Sequence, residues 1–76
     1  MSSIYSEEYQ LVIKLLRSTR IAKGLTQAQL AKELGKPQSF IAKVENGERR
    51  LDVIEFAHMA QLLSLDPADA LRIVMR

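Results

Sequence analysis

The sequence predicts an all-α chain of five helices, on three observations. Apolar residues recur at three- and four-residue spacing, and no segment reads as a strand. Helix-starting residues (Ser6, Thr26, Asp52, Asp66) alternate with helix-stopping glycines (Gly24, Gly35, Gly47) along most of the chain. The length, 76 residues, suits one undivided domain over 1–76.

The first helix is predicted from Glu7 to Lys23. Ser6 caps it, and Glu7 and Glu8 sit where the helix dipole favours anions. Tyr9, Val12, Ile13, Leu16 and Arg20 share one face, and Leu11 and Leu15 widen the apolar stripe. Gly24 ends it in the left-handed conformation. The second helix starts at the cap Thr26, turns Leu30, Ala31 and Leu34 inward, and stops at Gly35. The third begins at Pro37, a residue suited to the first helical position, and runs to about Asn46. Asp52 caps the fourth, which reaches Leu63 with Ile54, Ala57 and Leu62 as its expected buried stripe and Met59 and Leu63 beside them. The fifth, about 66–75, opens on Asp66-Pro67 with Asp69 in its first turn. Leu71, Val74 and Met75 give it an apolar edge.

A domain this short buries only about 60% of its unfolded surface. With no cysteine it has neither disulfides nor thiolate-bound metal to help, so its 47% hydrophobic residues must form the core. The lack of cysteine fits a reducing, cytoplasmic setting. No stretch approaches the ~20 apolar residues of a membrane span, and the start, MSSIYSEEY, is unlike a targeting peptide. The formal net charge of +2 hides a polarity. Residues 14–50 carry nine bases against Glu33, Glu45 and Glu48, whereas both ends are net acidic. A basic middle points toward a polyanion.

Thr26–Leu34, Gly35-Lys36 and Pro37–Asn46 make a helix-turn-helix by length and punctuation, about 26–46. Ala31 is small where the two helices must meet. Ile41 and Val44 face inward, leaving one face of the later helix polar and projecting.

At these residues the chain resembles a known family. Thr26-Gln27-Ala28-Gln29-Leu30-Ala31-Lys32-Glu33-Leu34-Gly35, then Gln38-Ser39-Phe40-Ile41 and Glu45-Asn46-Gly47, is similar to the XRE family of phage repressor and Cro-type regulators. The likeness covers about Leu16 to Leu71. Pro37 to Ile41 and Gly47 to Val53 are especially similar to short, stand-alone bacterial members. The resemblance implies a five-helix, repressor-like DNA-binding domain. It also implies a sequence-specific transcriptional regulator, expected to be a repressor, that reads a palindromic operator as a homodimer.

Roles for single residues follow from the same resemblance. Gln38 matches the base-reading glutamine; its amide can donate and accept at once, pairing with adenine N6 and N7. Ser39 and Lys43 are expected at base edges, although both could also reach phosphates. Ala42 and Phe40 are placed for thymine methyls, with partial burial in the core the alternative for Phe40. Gln27 and Asn46 match residues on the DNA backbone. Arg49 and Arg50, in a basic loop after the reading helix, are expected at phosphates, with Glu48 or Asp52 in reach of one of them. Arg17 and Lys36 are weaker candidates for the same role. Arg20 and Glu45, on inward stripes, look like the family's structural ion pair. Leu71, Val74 and Met75 are the expected dimer surface.

Two other readings compete. A protein-interaction adaptor or antitoxin component could use the same fold with a protein partner. Catalysis is not expected: His58 is the only histidine, and no cysteine or glycine-rich phosphate loop exists. Neither a metal, a cofactor nor a small-molecule ligand is expected.

Overall fold

The computed structural model describes residues 6–75; residues 1–5 and Arg76, part of the domain expected over 1–76, lie outside them. Five helices and no strand occur among the described residues: α1 (Glu7–Ala22), α2 (Gln27–Leu34), α3 (Gln38–Glu45), α4 (Val53–Leu62) and α5 (Pro67–Met75).

The starts are set by local chemistry. Ser6 Oγ accepts the Tyr9 N–H at 3.2 Å. Thr26 and Gln29 form a reciprocal capping box, as do Asp52 and Glu55. Asp66 Oδ1 accepts the Ala68 N–H at 2.9 Å. At the end of α2, Gly35 takes φ +68°, and the Lys36 N–H reaches back to the Ala31 carbonyl at 2.9 Å. That closure leaves only Lys36 and Pro37 to redirect the chain into α3. Pro37 therefore caps α3 in extended backbone, at ψ 156°, rather than taking the first helical position. Its fixed φ allows either place, and the short turn selects the extended one.

α1 packs against both α3 and α5, while α2 packs against α3 and α4. Ile13 and Leu16 of α1 meet Leu30 and Ala31 of α2, Phe40, Ile41 and Val44 of α3, and Met59 and Leu63 in one core. Leu30, Ile41 and Leu63 are fully buried.

α4 is turned away from the expected stripe. Met59, Ala60 and Leu63 are buried and Phe56 is half-buried, but Ile54 is 61% exposed and Leu62 37%. Ala57 and His58 are also exposed. The helix reads VIEFAHMAQL, apolar nearly all round, so periodicity does not choose its inner face.

Candidate nucleic-acid interface

α3 presents two faces. Phe40, Ile41 and Val44 are buried, anchoring it to the core. Gln38, Ser39, Lys43 and Asn46 are exposed, with Ala42 half-buried among them. Helical geometry puts those five residues on one side.

A line of hydrogen bonds runs beneath this face. Arg20, 7% exposed, donates from Nε to Glu45 Oε2 at 2.7 Å and from Nη2 to Glu45 Oε1 at 3.0 Å. Its Nη1 donates to the Leu25 carbonyl at 2.7 Å, tying α1 to the turn before α2. The Glu45 side chain is only 3% exposed. Its Oε1 also accepts from Gln27 Nε2 at 3.0 Å. Because the amide of Gln27 spends its donor side on Glu45, its oxygen faces Gln38 and accepts from Gln38 Nε2 at 3.2 Å. The buried carboxylate thereby fixes the orientation of the half-buried Gln27 amide and, through it, of the exposed Gln38 amide. Arg17 lies at the edge, 3.7 Å from Glu45 Oε1 and 60% exposed.

A second cluster gathers around Phe40. This ring, expected at a thymine methyl or partly in the core, is 8% exposed and belongs to the core. Lys36 Nζ lies 5.3 Å from its centroid and the Arg49 guanidinium 4.7 Å, both as cation–π contacts. Arg49 also grips Glu55 with two parallel hydrogen bonds of 2.9 Å. Its partner is thus neither Glu48 nor Asp52. The paired hydrogen bonds raise the Arg49 pKa above its ordinary value. They also lower the Glu55 carboxyl below the usual glutamate range, helped by the Asp52 backbone N–H.

Other expected phosphate ligands lie apart. Arg50 sits over the Tyr9 ring at 5.0 Å, beside an open apolar groove of about 440 Å³ between α1, α5 and the start of α4. Tyr9 holds that loop too: its hydroxyl accepts the Leu51 N–H at 3.0 Å. Asn46, at the end of α3, contacts Glu48 at 3.4 Å. Leu71 and Val74 line the groove, and Met75 is 78% exposed nearby in α5.

Glu55 and Tyr9 are the participants that sequence reasoning did not single out. Asp52-x-x-Glu55 is a capping-box spacing, and it marks Glu55 as a bound carboxylate. No comparable local signal marks the Tyr9 hydroxyl, whose partner is 42 residues away.

The fold and this face define a helix-turn-helix protein of the DNA-binding class. The helix-turn-helix family model HTH_3 matches residues 16–69. Two solved structures are similar to the chain. One is an XRE-family like protein from Pseudomonas syringae pv. tomato str. DC3000, with 49% identity, TM-score 0.80, and coverage of 86% of this chain and 79% of that one. The other is the restriction-modification controller protein C.AhdI from Aeromonas hydrophila, with 31% identity, TM-score 0.70, and coverage of 86% and 99%. No curated protein matches the chain. The chain belongs to the XRE-type helix-turn-helix family, and is a DNA-binding transcriptional regulator. Among the described residues no helix is long and apolar enough to cross a membrane.

Proposed function

We propose that this regulator is a cytoplasmic, sequence-specific repressor that reads a palindromic operator as a homodimer. The observation that carries the reading is the outer face of α3, where Gln38, Ser39, Lys43 and Asn46 stand exposed above a fixed hydrogen-bond network. In the major groove, the first turn of such a helix meets base edges. Gln38 keeps its carbonyl oxygen and one N–H for adenine, because Gln27 takes only the other N–H. Ser39 and Lys43 read neighbouring bases, and Ala42 is small enough to accept a thymine methyl. Gln27, Asn46, Arg17, Lys36 and Arg50 contact phosphates, which set the register without reading sequence.

One eight-residue helix offers few base contacts, so discrimination calls for two copies. Leu71, Val74 and Met75 form the proposed contact, burying an apolar edge that a monomer leaves in water. Two reading helices then address half-sites about 34 Å apart. Repression follows if the occupied operator overlaps a promoter.

The test is selection of bound duplexes from a random pool at moderate salt. A half-site consensus repeated with fixed spacing is expected. Met75→Glu should weaken both self-association in sedimentation and binding to the full site. If no duplex is enriched, the reading fails, and an adaptor role with a protein partner takes its place.

A further inference from the structure

We infer that Arg49 is a positioning residue rather than a phosphate ligand: held between Phe40 and Glu55, it fixes the first turn of α3 and with it the angle of Gln38 and Ser39. The inference rests on the DNA-reading role proposed above.

Three observations join here. Phe40 stands one residue after Ser39, in the turn that carries the reading side chains, and it is the core anchor of that turn. The Arg49 guanidinium lies over its ring at 4.7 Å. The same guanidinium is held by both Glu55 oxygens at 2.9 Å and donates to the Arg50 carbonyl at 3.0 Å. Glu55 is in turn locked into the capping box that starts α4. The loop after α3, the first turn of α4 and the first turn of α3 therefore meet at one planar group. A guanidinium can do this because it is flat and forked; an ammonium cannot grip two oxygens in parallel while stacking. Lys36 lies on the same ring at 5.3 Å and its charge also favours the Glu55 carboxylate. Three of the five Arg49 N–H groups are committed to Glu55 and to the Arg50 carbonyl, which holds the plane of the guanidinium in place.

A phosphate ligand and a positioning residue respond differently to the same substitutions. The selected operator and a duplex changed at the base facing Gln38 are titrated across salt, well below the melting temperature. Arg49→Lys keeps the charge, so a phosphate contact would survive it. Under the inference, R49K lowers the operator-to-variant affinity ratio roughly five-fold, part of what one bidentate base contact supplies. Its salt slope stays within error of wild type. Glu55→Gln, which touches no DNA, shifts the ratio the same way. R49E and E55R each lose selectivity, and the double variant R49E/E55R recovers part of it.

The inference is overturned if R49K behaves as wild type while R49Q lowers the salt slope by about 0.9, the signature of one lost phosphate contact. It is equally overturned if E55Q binds more tightly by freeing Arg49, or if either variant keeps the wild-type ratio. A wild-type protein with no preference for any duplex would fail the DNA reading itself, and the inference with it.

Discussion

Arg20→Ala is the substitution that tests the network most directly. It removes both contacts to Glu45 and the donor to the Leu25 carbonyl. A carboxylate 3% exposed remains, with Gln27 as its hydrogen-bond partner and Arg17 at 3.7 Å. Breaking a buried ion pair by deleting one partner costs about 3–5 kcal/mol. Arg17 can swing partly into the gap, so the lower end, about 3 kcal/mol, applies. A 76-residue domain holds only about 4–11 kcal/mol in total. At about 4–8 °C per kcal/mol, the melting temperature should fall by roughly 12–24 °C. Urea denaturation followed by circular dichroism gives the free energy, and Arg17→Ala serves as the control. Arg17 is 60% exposed, so its loss should cost under about 1 kcal/mol. If Arg20→Ala were as stable as Arg17→Ala yet bound DNA poorly, Arg20 would be a DNA ligand, and the structural role would be refuted.

Further outcomes follow from single features. Leu63→Ala, at a fully buried site, should cost about 2–5 kcal/mol in urea melts, and Leu62→Ala at 37% exposure much less; equal losses would contradict the observed rotation of α4. Gly35→Ala should cost about 1–2 kcal/mol through its φ of +68° alone, because an added Cβ meets no atom within 4 Å. The Glu55 carboxyl is lowered in the folded state, so its contribution is present at neutral pH and is lost as pH falls below the ordinary glutamate value of about 4.3. Glu55→Gln should flatten the acid limb of a stability–pH curve; an unchanged limb would show that Glu55 gains nothing from Arg49.

What the sequence made legible was mostly local. Ser6, Thr26, Asp52 and Asp66 cap helices through contacts two or three residues away, and such spacings are visible in one dimension. The Tyr9-to-Arg20 stripe was readable from its three- and four-residue spacing, although Leu11 and Leu15 widen it. The face of α4 was not, since Ile54 and Met59 look alike until the helix is set against α2. Inward spacing alone marks Arg20 and Glu45 as buried; naming them as partners took the family resemblance. The cluster of Phe40, Arg49 and Glu55 depends on how the loop after α3 folds back. Neither charge nor spacing shows that Arg49 lies over the Phe40 ring.

The line from Arg20 to Gln38 bears on how such a protein diverges. Gln27 shares Glu45 Oε1 with the pair that joins α1 to α3, and Gln38 is linked to that pair only through Gln27. Under the proposed reading, a change at Gln27 would disturb both the Glu45 network and the orientation of the Gln38 amide. Ser39, Ala42 and Lys43 lie on the same face outside that chain of amides. If that face reads bases as proposed, those three positions can change without disturbing the Glu45–Gln27 contact, which would persist as a fixed frame.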